Sequence, residues 1–439
     1  MRISRISKTH ILFLILIVVL AFWLRLFNIT TVPRHGATFD EFAWTWLGIN
    51  LIQKGVPISW SPHPQYKERE HLRYQGAAFW IVKPYLEHPP FFGLVAGSFA
   101  ILSGVKDMYH VTLEKIRPLA LGLGMLSVIM VFLLTRELYG NIVAFIATLL
   151  YSTVPTIVIG SRIVQNENFL IPFWLLALYL IHKYLQTQKR WMRNVASIIG
   201  GLLILAKVPW LVASLSLGMI LFYKGRWRDA LFVGVISVGF LSLFIVYGIY
   251  FDKQLFLDLW KLQAARYDIS FDGLYSIFTN PLLVDRHYLD GWIIFGWFSI
   301  FLLLKDAKQH LFVLLPFIAY LIFYVFAIPN EPAHGWYRYP FYPLLAVSSA
   351  VVLQQEWKKL SFVSIFFLFI VGLALLHNVW RELFGFSLFV YRAFILFTSI
   401  PILYLVWKNK NERVSKLLLL FWFVIFILFN ILSVVVYKE

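Results

Sequence analysis

The residues able to do chemistry fall in short clusters separated by long apolar runs. Asp40 and Glu41 open a helical pattern. Thr38, followed three residues later by Glu41, reads as a capping box, in which each side chain satisfies a free backbone donor. Phe42, Trp46 and Ile49 recur at helical spacing, and Gly55 with Pro57 closes the element. A helix is therefore expected over residues 39–53, with Glu41 as its cap and Asp40 complementing its dipole, or with the pair turned to chemistry. Glu87 and His88 precede Pro89-Pro90 and a short apolar stretch. They are simple loop residues, or a carboxylate and an imidazole poised at a helix N-terminus for an anion or a metal ion. Arg162 and Glu167 flank the polar run Ser161 to Glu167 and either reach water at a boundary or form a functional pair. Lys207 interrupts an apolar run, where a charge costs about 2.5 to 3.5 kcal/mol at mid-membrane depth. It is a snorkelling lysine or a cation held for a phosphate. Tyr337 and Arg338 lie in His334-Gly-Trp-Tyr-Arg-Tyr-Pro340; an interfacial aromatic belt explains the rings but not the arginine.

The elements that must position these groups are membrane helices. Of the 439 residues, 60% are hydrophobic and 14% charged, against about a quarter charged in soluble domains. A bilayer can hide that much apolar surface; an ordinary core cannot. The net charge of +17 lies in short basic clusters between apolar runs, not in a single stripe, which argues for cytoplasmic loops and against nucleic acid. With no cysteine, disulfides, thiolate metal sites and cysteine nucleophiles are excluded. Arg2, Arg5 and Lys8 precede a run that continues to about Phe27 without a small-residue cleavage site, so an uncleaved first helix is expected.

Runs long enough to cross lie near residues 10–28, 116–135, 141–160, 169–186, 195–223, 229–250 and 291–304. Others lie near 311–328, 339–354, 361–378, 389–407 and 417–437. The 195–223 run is too long for one span and is split at Lys207-Val208-Pro209, which brings the expectation to 13 transmembrane helices in an all-α polytopic protein. Residues 89–104 would reach about 24 Å as a helix, short of the roughly 30 Å hydrocarbon core. If this stretch does not cross, Arg136, the basic residues at 183–193, 224–228, 305–308 and 358–359, and the cluster Lys408, Lys410, Arg413 and Lys416 share the side of the N-terminus. The positive-inside rule favours that arrangement and makes 89–104 a juxtamembrane or re-entrant helix. The larger loops, 28–117 and 251–290, then face outward, and the helix over 39–53 lies amphipathically on the bilayer. No repeat, low-complexity tract or separate soluble domain is evident.

This parity brings acidic and basic groups from distant loops to one membrane face, as suits a polar pocket for a phosphate-bearing substrate whose tail stays in lipid. With those landmarks in order, the chain resembles the multi-spanning, lipid-phosphate-sugar-dependent glycosyltransferases, among them the dolichyl-phosphate-mannose protein mannosyltransferases and the bacterial aminoarabinose transferases. The likeness runs over residues 10–350: Arg25-Leu26 ending the first helix, Asp40-Glu41, Glu87-His88-Pro89-Pro90-Phe91, Arg162 with Glu167, Ala206-Lys207-Val208-Pro209, and, loosely, Arg338-Tyr339.

The resemblance implies sugar transfer from a polyprenyl-phosphate carrier to an acceptor hydroxyl on the extracytoplasmic face of the plasma membrane. Inversion is expected, with the acceptor a lipid, a glycan or a protein. It makes Asp40 the general base with Glu41 beside it, and Glu87 a divalent-metal ligand. His88, Arg162, Glu167, Lys207, Tyr337 and Arg338 become substrate contacts, and no nucleotide or organic cofactor is expected. Residues 1–355 would form the catalytic module and 356–439 added C-terminal helices. Two departures stand out: the family's lysine before the two prolines is His88 here, and the arginine found three residues after the aspartate in the aminoarabinose enzymes is Ala43. A transporter or flippase of lipid-linked sugars is the alternative; it would call for inverted repeats with broken helices at mid-depth, and only the Lys207 region is broken. A non-catalytic membrane scaffold would leave the one-sided polar clusters without purpose.

Overall fold

The structure is a computed structural model that describes residues 7–265, 272–327, 334–375, 378, 387–408 and 411–438. Arg2, Arg5 and Lys410 of the expected basic clusters lie outside the described residues. The described chain is overwhelmingly helical, which satisfies the polytopic expectation, because only a helix or a closed barrel pairs all backbone groups in lipid.

Helix α1 (Lys8–Leu26) starts at Ser7, whose hydroxyl accepts from the His10 N–H in a capping box. Its flank bears Leu12, Leu16, Val19 and Phe22, all exposed. On a soluble protein such a stripe would be an aggregation site; here it is a lipid face. After α1 come α2 (Asp40–Lys54), strands β1 (Ser59–Trp60), β2 (Arg69–Tyr74) and β3 (Ala77–Val82), and α3 (Phe91–Leu102). The long α4 (Leu113–Tyr139) follows, then α5 (Asn141–Thr153), α6 (Pro155–Gly160), α7 (Asn166–Thr187), α8 (Arg190–Ala206), α9 (Leu211–Tyr223) and α10 (Trp227–Ala265). The second half comprises α11 (Asp272–Thr279), α12 (Gly291–Leu303), α13 (Leu311–Ala327), α14 (Tyr342–Lys358), α15 (Phe362–Leu375), α16 (Leu388–Lys408) and α17 (Glu412–Val436).

Six described helices are long and apolar enough to cross a membrane: α1, α4, α7, α10, α16 and α17. Five shorter apolar helices, including α3, α5, α13 and α15, accompany them. The count of 13 spans therefore depends on counting short and broken helices as crossings. The 195–223 run breaks as expected, with Lys207 extended (φ −160°, ψ 127°) and a single tight turn over Val208–Trp210. The 141–160 run also breaks, at Val154 before Pro155, because proline disfavours helical geometry in the residue before it. The apolar run of α10 ends at Asp252, which is non-helical (φ −164°) and accepts from the Leu255 N–H to start a returning arm, residues 253–265.

The first loop departs most from expectation. Strands β1, β3 and β2 pair antiparallel in that order, with Arg69 opposite Val82 and Tyr74 opposite Ala77, a small sheet in a chain expected to be all helix. Its turn uses Gln75 and Gly76, both at positive φ, which suits the twist of a two-residue hairpin. Helix α2 is not an amphipathic helix lying on the bilayer, because Glu41 through Asn50 are all buried. One face packs on α3 backbone to backbone: a Cβ at Gly48 would lie 1.8 Å from the Gly93 carbonyl oxygen, and one at Gly97 would lie 2.4 Å from the Gly48 carbonyl carbon. The opposite face packs Phe42 and Trp46 on Phe79 of β3 and on Tyr74. Sheet and α3 together clamp α2 and so fix Asp40 at its first turn. Helix α3, with 12 residues, spans about 18 Å, shorter still than the expected segment. The C-terminal helices join the rest through Asn430 of α17, which accepts from the Trp292 indole N–H (3.1 Å).

Candidate active site

Three consecutive polar residues at the head of α7 organise the site. Gln165 caps the helix; its amide NH2 donates to Asp40 Oδ2 (3.0 Å), and its oxygen accepts from the Trp44 indole (2.7 Å). Asn166 clasps the broken joint, donating to the Ala206 carbonyl (3.0 Å) and accepting from the Trp210 indole (3.0 Å). Glu167 accepts from Lys207 Nζ at 2.9 Å. Because Lys207 is extended between two helices, its side chain leaves the helix surface and enters the protein, 4.8 Å from the Tyr337 ring centroid and 5.3 Å from that of Trp210. Burial disfavours the ammonium, but Glu167, Tyr337 and Asp40 outweigh it and hold the Lys207 pKa above its ordinary value.

Lys207, Tyr337, Glu87 and His88 all line a cavity of about 470 Å³. Apart from Gln263, the other lining side chains are aliphatic or aromatic. Phe244 and Phe256 come from α10 and its returning arm, and Leu211, Leu215 and Ile322 are 44%, 50% and 48% exposed. The cavity thus joins a few charged and polar side chains to a mostly apolar lining. Glu87 Oε2 lies 3.5 Å from His63 Nε2, a pairing the sequence did not suggest. The Glu87 carboxylate also bears on Tyr66, whose hydroxyl accepts from the Leu86 N–H; burial, reinforced by that carboxylate, pushes the Tyr66 pKa well up. The His88 ring lies 5.3 Å from that of Trp44, one turn along α2 from Asp40.

The remaining expected site residues separate from this cluster. Glu41 is neither a cap nor directed at the cavity. Thr38 instead accepts from the Asp40 N–H (3.2 Å), and both Glu41 oxygens meet the Arg117 guanidinium at 2.9 and 3.1 Å, with the Val164 N–H a third donor. Arg162 and Glu167, both expected as substrate contacts, part company, and Glu167 takes Lys207. Arg162 is fully buried and donates to the carbonyls of Leu24 (2.7 Å) and Val32 (3.2 Å). Arg117 likewise donates to Ile29 and Pro33, so two arginines tie down the chain between α1 and α2. Arg338 sits beside Tyr337 in sequence but turns to α11, donating to the Ser276 hydroxyl (3.1 Å) and the Asn280 carbonyl (3.2 Å).

A divalent metal does not fit the donor set at Glu87. Among the described residues no group of three His, Asp or Glu side chains is gathered, and Glu167 is taken by Lys207. Gln165 and Asn166 are the site residues that sequence reasoning passed over; the available signal was an unbroken polar run, Gln-Asn-Glu-Asn, at the head of an apolar span.

Residues 87–250 match the family model of the dolichyl-phosphate-mannose-protein mannosyltransferases. A search of the curated proteins returned no match. Among solved structures, the chain is similar to ArnT from Cupriavidus metallidurans bound to undecaprenyl phosphate, with TM-score 0.58, 16% identity, and coverage of 98% of this chain and 77% of that one. It is also similar to arabinosyltransferase EmbB from Mycobacterium smegmatis, with TM-score 0.55, 12% identity, and coverage of 99% and 42%. The archaeal oligosaccharyltransferase from Archaeoglobus fulgidus, in complex with an inhibitory peptide and a dolichol-phosphate, matches with TM-score 0.52, 13% identity, and coverage of 94% and 56%. The chain thus spans little more than half of that enzyme's length. In fold, the chain is a polytopic membrane protein similar to these three enzymes.

Proposed function

We propose that the protein is a membrane glycosyltransferase that moves a sugar from a polyprenyl-phosphate carrier to an acceptor hydroxyl at the extracytoplasmic face. The observation that carries this reading is the cavity of about 470 Å³, in which a cation and a few polar groups share a lining that is otherwise mostly apolar. That lining suits a ligand with a phosphate head and an isoprenoid tail, and an ArnT structure of the same fold is bound to undecaprenyl phosphate.

The acceptor oxygen attacks the anomeric carbon of the donor sugar. The bond from that carbon to the phosphate oxygen breaks, its electron pair leaves with the lipid phosphate, and the acceptor proton passes to Asp40. One displacement inverts the anomeric centre. Of the acidic side chains singled out, Glu41 pairs with Arg117, Glu167 with Lys207, and Glu87 lies against His63. Asp40 accepts from a neutral amide, and among the described residues no cation pairs with it. It is half-buried at the head of α2 and close enough to Lys207 to favour its charge. A base in that position contributes about 10²- to 10⁴-fold. Lys207, which lines the same cavity as His88, meets the charge developing on the leaving phosphate in a low-dielectric cavity. Glu41, Arg162 and Arg338 act through the scaffold, and residues 1–355 make up the catalytic module.

The test is a panel of radiolabelled undecaprenyl-phosphate-linked sugars offered to membranes holding the protein. Turnover of at least one is expected, and Asp40→Asn should abolish it with the folded protein still present. Full transfer by Asp40→Asn would refute the base assignment.

A further inference from the structure

We propose that Gln165 is a positioning residue for Asp40, holding the carboxylate in the one orientation that can take the acceptor proton; this rests on the reading of Asp40 as base. The two residues are 125 positions apart, and Gln165 is almost fully buried. Two donors fix its amide: the Trp44 indole N–H at 2.7 Å and the Asn166 backbone N–H at 3.2 Å both point at Oε1. An amide whose oxygen is held by two donors has only its NH2 left to face Asp40, and it donates to Oδ2 at 3.0 Å. Trp44 is itself locked, buried against Phe92 and His88. The chain Trp44–Gln165–Asp40 is therefore rigid at each link, and it runs from α2 to α7 and back to α2. A neutral donor suits the role. An arginine here would pair with Asp40 as Arg117 pairs with Glu41 and spend its basicity. A hydrophobic residue would leave the carboxylate free to turn toward the cation Lys207. The same α7 head carries Asn166 and Glu167, which set the Lys207 joint, so base and cation are registered to each other by consecutive residues.

The experiment uses the full chain in membranes and whichever undecaprenyl-phosphate sugar of the panel it turns over, with Gln165→Leu, Gln165→Glu, Trp44→Phe and Asp40→Asn compared at equal folded amounts. Gln165→Leu should lower kcat on the order of tenfold while the donor KM stays within about twofold, because orientation and not ground-state binding is lost. Trp44→Phe, which frees the amide to turn, should give a smaller loss of the same kind. Gln165→Glu sets a second carboxylate against Asp40, in a surrounding that holds Lys207, Glu167, Glu87, Tyr85, the Glu41–Arg117 pair and His88, which packs on Trp44 in wild type and variant alike. Two carboxylates that close share a proton, and the protonated partner can donate to Asp40 as the amide did. The kcat of Gln165→Glu relative to wild type should therefore climb on the order of tenfold as pH falls from about 8 to about 5, the equivalent of one pH unit of interaction. A role in packing alone predicts a ratio flat with pH. Wild-type kcat in both Gln165 variants, or that flat ratio, overturns the inference while an inactive Asp40→Asn leaves the base reading standing. An active Asp40→Asn overturns the base reading, and Gln165's role with it. Failure of the wild type to turn over any sugar of the panel overturns the transferase reading.

Discussion

At the scale of single residues, burial and partner decide what a charged side chain can do. Asp40 and Glu41 are neighbours in sequence with opposite fates. Glu41 sits in a fully buried bidentate pair with Arg117, and removing one member of such a pair leaves an uncompensated charge that costs about 3–5 kcal/mol. Glu41→Gln is therefore expected to lower the thermal midpoint of the solubilised protein sharply, whereas Asp40→Asn, which loses no ion pair, should melt near wild type yet transfer no sugar. A fluorescence-monitored melt beside an activity assay separates the two, and a stable Glu41→Gln would contradict the structural role given to the pair. The Glu167–Lys207 pair behaves differently because it borders the cavity. Lys207→Met should weaken capture of the donor phosphate, raising the donor KM at least about tenfold if the ammonium meets the phosphate. An unchanged KM in that variant would place the phosphate elsewhere. His88 is neutral at ordinary pH unless protonated, so the permanent positive charge in the cavity lining is Lys207.

At the scale of elements, the first loop holds most of what sequence periodicity missed. The helix over 39–53 was legible almost to the residue, since Gly55 at φ 68° ends α2 where expected. Its environment was not legible. Apolar spacing says that a helix has a face to bury and not whether lipid or protein covers it. The sheet of residues 59–82 escaped because charged residues, Arg69, Glu70, His71 and Arg73, fill its exposed strand and hide the period-two pattern. Glycine contact between α2 and α3 sets the height of Asp40, which makes Gly48 a sensitive position. Gly48→Leu must push α3 away, because even a Cβ overlaps the Gly93 carbonyl. Overpacking of this kind costs about 1–3 kcal/mol or more. The expected result is loss of transfer with partial loss of thermal stability, and a variant as active as wild type would mean that the α2–α3 contact does not fix the site.

At the scale of the whole molecule, the question is which membrane face holds the cavity. The six long apolar helices show that the chain is built for a bilayer, and helix length alone does not orient it. The basic loops, if they lie on the cytoplasmic side as the positive-inside rule expects, turn the first loop outward. The chain has no cysteine, so a single introduced one reports without background. His110→Cys, in the exposed turn between α3 and α4, should react with a membrane-impermeant maleimide added to intact cells, and a cysteine replacing Gln188 should react only after permeabilisation. The reverse pattern would place the cavity on the cytoplasmic side and remove the extracytoplasmic acceptor from the proposal.

The sequence by itself determined the membrane class, the approximate place of nearly every helix, the break at Lys207 and the polar clusters, Asp40, Glu87, His88 and Lys207 among them. These follow from local properties: apolar run length, the cost of a charge in lipid, and proline and glycine chemistry act on residues close in the chain. Partnership was decided only by tertiary structure. Arg162 and Glu167, five apart, look paired; yet Glu167 joins Lys207 forty positions on, and Arg162 turns to backbone carbonyls near Leu24. Glu41 looks like a cap and finds Arg117 seventy-six positions away. Gln165 gives no sign of its bond to Asp40. Buried polar groups must be satisfied by whatever the packed helices bring within about 3 Å. That distance is set by helix packing across the molecule, which local spacing does not encode.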